Sequence, residues 1–378
     1  MEEVRGGAAG EEHAPPGSPD SVLDRQLLTA SEDDNEGPSA RNDSEDVMLI
    51  DARELSSHKS RDDAWIVVDG EVYDVTHFLD NHPGGSEILM EHISDEDVYP
   101  LMRGLDKDSE GHSHSDAAFN MLKQFHVGRL SSKASTPVSA ARLPENGSKA
   151  FTVDLSKPLV FQVGHLREEY HTWVHQAIIT KDTPYFFENK FLEFNTRTVW
   201  WVVPLIWVPV VCWTQWLAFQ RGLPLSALPT SLLAGVFLWS FIEYTLHRFL
   251  FHIKTTGYWS NTGHYLLHGC HHKFPLDGYR LVFPPAATSI FGVLFWNVLK
   301  FALPAALAPS IFGGGLLGYV MYDLIHYFLH HGAPFNGVSQ KLKRYHLNHH
   351  FKEQTNSFGI TSSLWDWVLD TLPPVKVA

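Results

Sequence analysis

His268-Gly-Cys-His271-His272 sets three imidazoles at i, i+3 and i+4, the spacing of one helix face. The pattern returns at His346-Leu-Asn-His349-His350, with a His-x3-His pair at His326 and His330 and a His-x4-His pair at His247 and His252. Twelve of the chain's 23 histidines fall between residues 247 and 350. Each cluster adjoins a long apolar run, so the pattern points to a metal centre at a membrane surface. Ten candidate ligands (His247, His252, His268, His271, His272, His326, His330, His346, His349 and His350) are too many for one first-row ion and suit two, with about five each.

Outward from the boxes the chain is apolar. Val199–Phe219 carries no charge over 21 residues, long enough to cross a bilayer, and Leu225–Phe241 follows after a short turn at Arg221. Leu281–Leu299 and Phe301–Tyr322 form a second hairpin, which predicts an all-α membrane domain of four transmembrane helices under a histidine-rich helical cap. The loop 248–280 has four Lys/Arg and the tail after 322 has five, against one in each short turn, Arg221 and Lys300. The positive-inside rule then puts both termini and every box on the cytosolic side. Leu166–Gln176 reads as an amphipathic helix at the membrane interface. Within it His175 is a candidate active-site residue, as are Tyr322 and Asp323 just ahead of His326. Metal-bound imidazoles need outer partners, and Glu243, Asp277 and Asp323 lie near enough in sequence to serve. His264 and His331 fall outside the box spacings and read as packing residues.

The N-terminal half differs in kind. Residues 1–46 hold thirteen Asp/Glu against three Arg, which accounts for most of the net charge of -14, and they read as a disordered acidic tail. The remainder is near balance, which excludes a nucleic-acid footprint. Two cysteines argue against a disulfide framework. Residues 47–130 read as a small α+β domain: Ala64–Val75 makes two strands around Asp69-Gly70, a hairpin signal, followed by His82-Pro-Gly-Gly85 and a helical Ser86–Met90. Residues 131–158 form a linker, and residues 159–378 the membrane domain. Asn146-Gly-Ser148 matches a glycosylation acceptor that this topology leaves unmodified.

Trp65, Val72–Phe78 and His82-Pro-Gly-Gly85 closely resemble the cytochrome b5 haem-binding family. The resemblance implies haem b with His82 as one axial ligand and a second histidine farther on, His114 or its rival His112, with a loop insertion around Asp95–Glu110. Two imidazoles on one iron leave no open site, so such a domain carries electrons. A tethered one-electron donor would be wasted on zinc, which has no redox chemistry, so the economical reading of the boxes is two iron ions that use O2.

Glu243–His252, His268–Pro285, Gly314–His326 and His346–His350 together look like the fatty acid 2-hydroxylase family, in particular the ceramide-hydroxylating enzymes of fungi. That resemblance covers roughly residues 50–373 and leaves the acidic tail unexplained. It implies hydroxylation at C2 of a long or very long acyl chain, free or in ceramide, in the endoplasmic reticulum. Electrons would come from an NADPH- or NADH-dependent reductase through the haem, and zinc found in such sites would stand in for iron. A haem-fused desaturase or sterol oxidase shares the metal chemistry and is the rival reading, as, in a different class, is a non-catalytic haem or metal carrier.

Overall fold

The computed structural model describes residues 48–93, 96–105, 114–131, 151–180 and 183–373. The acidic segment 1–46, His112, much of the insertion expected around 95–110, and most of the linker with its Asn146 acceptor lie outside these residues.

The Asp69-Gly70 turn forms as expected. Both residues have positive φ, 55° and 76°, the geometry that joins strands through a tight turn. It links β3 (Asp63–Val68) to β4 (Glu71–Asp74) in antiparallel register, Val68 opposite Glu71. With β1 (Leu49–Ile50), β2 (Lys59–Ser60) and β5 (His126–Leu130) they make a sheet of order β1-β5-β4-β3-β2, in which β1 and β5 run parallel. One sheet face, with Ala64, Ile66 and Val68, packs on Leu79, Ile93 and Leu122. That core carries α1 (Ser86–Glu91) and α2 (Asp116–Leu122). His58 stacks on Trp65 with ring centroids 3.5 Å apart, and His126 pairs with Glu71, both packing roles.

The second domain is helical. Its long helices are α3 (Val202–Gln220), α4 (Leu228–Thr245), α5 (Pro285–Ala302) and α6 (Leu307–His331). Among the described residues, three are long and apolar enough to cross a membrane: α3, α5, and α4 taken with its continuation from Leu225 to Phe251. The fourth, α6, is the longest but carries Ser310 and the run Gly313-Gly314-Gly315, and most of its length is buried among the other helices. Those small residues allow close packing without a hydrophobic driving force in lipid. A Cβ on Gly314 would collide with the Leu232 carbonyl, and the Ser231 and Ser310 hydroxyls meet at 2.6 Å. The segment 281–284, expected as the start of a span, is not helical; Leu281 and Val282 are buried beneath the cap.

Two other expectations change. The 166–176 segment is not one interfacial helix. It breaks at Arg167 (φ 49°) into a short 3-10 turn and the turn Tyr170–Val174. Its apolar residues Leu166, Tyr170 and Val174 are buried against Tyr265, Cys270 and Phe274 instead of facing lipid. The end of the linker is also ordered. The Gln162 side chain donates to the Asp154 and Pro158 carbonyls and accepts from the Asp154 amide, so packing of the helical domain begins before residue 159.

Candidate metal centre

The ten box histidines converge into two groups. His247, His252, His268, His272 and His349 form one; His271, His326, His330, His346 and His350 form the other. Within each group one nitrogen per ring lies within 4.8 Å of all the others. The three-histidine boxes therefore do not act as single faces. In each, the i and i+4 rings serve one group and the i+3 ring crosses to the other. His268 and His272 are joined by His349, and His346 and His350 by His271.

Local helix geometry explains the aim of each pair. His326 and His330, four apart on α6, share an α-helical face. His247 and His252 are five apart, and an α-helix would turn the second ring away by about 140°. The chain instead widens into a π-helical turn over Leu246–Phe251, which brings i and i+5 into line. A second π-helical turn, Tyr265–Gly269, carries His268. His346, His349 and His350 sit in the last turns of α7 (Gly337–Phe351), whose start is capped by the Asn336 side chain accepting from the Ser339 amide.

The expected carboxylate partners are not found on the histidines. His247 Nδ1 donates to the Phe358 carbonyl at 2.6 Å, and His349 Nδ1 to the Asn356 carbonyl at 2.7 Å. That fixes the tautomer of both rings and leaves each Nε2 as a lone pair facing inward. Glu243 acts one step further out. It accepts from the Ile360 and Thr361 amides at 2.9 and 2.7 Å and from the Thr361 hydroxyl. Asp366 accepts from the Phe358 and Gly359 amides, so two buried carboxylates hold the segment that supplies the carbonyls. Asp277 pairs with Arg280, and Asp323 accepts from the Phe283 amide. The 356–361 segment was missed by sequence reasoning because its contribution is backbone, which no residue type announces.

The inward nitrogens are arranged for cations. His349 Nε2 lies 2.8 Å from His252 Nε2, His272 Nε2 3.0 Å from His268 Nε2, and His330 Nε2 2.7 Å from His346 Nε2. Burial pushes His252, His268, His271, His272, His346, His349 and His350 well below the usual imidazole pKa, which favours the neutral rings whose lone pairs could bind a cation. Seven buried ring nitrogens on His271, His272, His326, His330, His346 and His350 have no hydrogen-bond partner. At about 1–3 kcal/mol each, that cost rivals the whole net stability of a typical domain, about 5–15 kcal/mol, unless metal coordination offsets it. The residues fit two metal ions.

A cavity of about 680 Å³ runs from the groups into the helices, lined by Phe186, Leu246, Phe283, Phe291 and Phe295 among others. His268 of one group and His271 and His326 of the other open onto it, as do Tyr322 and Asp323. A mostly apolar cavity onto which both groups open fits an acyl chain. Tyr322 and Asp323 thus line the cavity beside His326 and belong to neither five-histidine group. His175 lies beside the first group, its ring 5.1 Å from that of His272, but its Nδ1 donates to the His171 carbonyl and it stays outside the five. His264 is satisfied by Tyr170 and the Phe251 carbonyl, the packing role expected of it.

In the first domain the His82 and His114 rings stand 6.1 Å apart with planes 21° from parallel. Two imidazoles each placing a nitrogen about 2 Å from one metal have close to that separation. His82 Nδ1 donates to the Gly85 carbonyl at 3.1 Å, which fixes the orientation of the ring. A Cβ on Gly84 would press on the His82 ring at 2.9 Å, which explains the glycine there. The pair fits a haem.

Two known domain families match separate parts of the chain. Residues 51–131 match the cytochrome b5-like heme/steroid binding domain and residues 232–371 the fatty acid hydroxylase domain. The fatty acid 2-hydroxylase of Homo sapiens is 36% identical over 349 residues, covering 82% of this chain and 92% of that protein. The ceramide very long chain fatty acid hydroxylase of Saccharomyces cerevisiae is 35% identical over 383 residues, covering 87% and 96%. A dihydroceramide fatty acyl 2-hydroxylase of Arabidopsis thaliana is 58% identical over 229 residues, covering 61% of this chain and 97% of its own length. A solved structure of full-length scs7p, with only the hydroxylase domain visible, superposes with a TM-score of 0.56 at 38% identity, covering 61% of this chain and 88% of that one.

Proposed function

The chain belongs to the fatty acid 2-hydroxylase family, and from that premise we propose that it replaces one hydrogen by a hydroxyl at C2 of a long fatty acyl chain, free or N-linked in ceramide. The observation that carries this reading is the apolar cavity ending on two five-histidine groups. Balance requires O2, two electrons and two protons, with one oxygen atom in the product and the other in water. The ten histidines would hold two iron ions, which would supply the reduction of O2 and the oxidising power, and His82 and His114 would hold haem b, which would supply electrons taken from a nicotinamide-dependent reductase.

The chain's own groups set position and exclusion. Phe283, Phe291 and Phe295 hold the acyl chain and keep water out. Tyr322 and Asp323 stand at the metal end of the cavity, where they position the acyl carbonyl and so present C2. The His247 and His349 rings are fixed by backbone carbonyls and need no proton movement during turnover. No general acid–base pair or nucleophile is required.

Expression in a hydroxylase-deficient cell with lipid mass spectrometry tests the reaction. Acyl chains heavier by about 16 mass units with the hydroxyl at C2 are expected; chains lighter by about two units, carrying a double bond, would refute it. We also propose an endoplasmic-reticulum location with the metal end facing the cytosol, supported by Lys/Arg concentrated in 248–280 and after 322. A glycosylation acceptor in a lengthened turn at Arg221 is then modified in microsomes. One placed in the 254–257 loop is not, and the reverse pattern would overturn the orientation.

A further inference from the structure

The haem-binding and helical domains meet along a defined seam. The Gln124 side chain donates to the Ala177 carbonyl at 2.8 Å and accepts from the Ile179 amide at 3.1 Å. Beside this clasp, Phe78 and Met121 of the first domain pack against Leu347 and Phe351 of the second. The aromatic part of the contact is continuous from one redox site to the other. The Phe78 ring makes an edge contact with His82, centroids 6.0 Å apart, and another with Phe351 at 5.8 Å. Phe351 directly follows His350, and those two rings are 6.1 Å apart. Each separation is in the range of rings in or near contact.

We propose that this seam is the electron-delivery contact, and that the rings of Phe78 and Phe351 bridge the gap across which single electrons tunnel from the His82 side to the metal group containing His350. The proposal rests on the reading that the histidine groups hold redox ions. Each transfer oxidises the haem iron from ferrous to ferric and reduces one ion of the histidine group from ferric to ferrous. No bond forms or breaks, and two transfers supply one turnover. His350 stacks on His272 at 4.3 Å, so the first group is reached through the second.

The test uses the full-length, haem- and iron-loaded chain in lipid. Stopped-flow absorbance follows haem reoxidation after prereduction, in the presence of acyl substrate and O2. Phe351→Leu and Phe78→Leu keep the packing apolar and are expected to slow reoxidation at least ten-fold with an unchanged Soret band. Phe351→Trp is expected to restore the rate to within about three-fold. Separately, oxidation of the Gln124→Cys/Ile179→Cys double variant is expected to lock the seam by a disulfide, with reoxidation preserved. Unchanged rates in both leucine variants, no disulfide, or a disulfide that stops reoxidation would each overturn the proposal. A wild-type chain whose haem is never reoxidised and which makes no 2-hydroxy product would instead refute the function beneath it.

Discussion

Glu243 shows how far a residue's role can lie from its neighbours in sequence. Its position four residues before His247 suggests a carboxylate that orients an imidazole. The structure puts it instead on the amides of Ile360 and Thr361, more than a hundred residues away, so it positions the Phe358 carbonyl and through it His247. Glu243→Gln keeps the shape, cannot accept from all three donors, and weakens charge-assisted bonds, at an expected cost of about 1–3 kcal/mol. Lower thermal stability and a drop of about ten-fold in 2-hydroxy product, with an unaltered haem spectrum, are the expected outcome. Full product and unchanged stability would show that the carboxylate supports nothing. The ten histidines themselves were legible because residue type and spacing both mark a ligand. Their carbonyl partners were not, because backbone groups leave no trace in composition.

The element that decides the first histidine group is the π-helical turn Leu246–Phe251. The five-residue spacing of His247 and His252 is plain in the sequence, yet ordinary helix periodicity sends the two rings apart, so only a widened turn makes them partners. Deleting Leu250 restores four-residue spacing and forces either an α-helical turn or a shift of His252. It is expected to empty the first group while the second, built on α6 and α7, keeps its ion. Elemental analysis of the purified variant reads this directly, and an unchanged metal content would mean the π turn is incidental. The apolar helices were legible for the opposite reason, since a long uncharged run has few alternatives. The fourth was harder to place, because the glycines that let α6 bury itself among its neighbours also lower its hydropathy. The 166–176 segment misled because an apolar face looks the same whether it meets lipid or protein.

At the scale of the whole molecule, two domains separable by composition are joined by contacts that no periodicity reveals. Gln124 reaches Ala177 and Ile179, and Phe78 reaches Phe351, across more than two hundred residues in the second case. The hairpin, the His82 turn and the histidine boxes each announce a local structure; the seam is a property of the assembled surfaces. What the assembly achieves is concentration. One cavity, two five-histidine groups and the His82–His114 pair are brought within a short chain of aromatic contacts. The claim on which the rest depends is that these groups hold two ions. Quantifying non-haem iron against haem in the purified full-length chain, alongside His330→Ala, tests it most directly. Two non-haem ions per haem in the parent and one in the variant is the expected result. A haem-replete parent with one such ion, or none, would contradict the account.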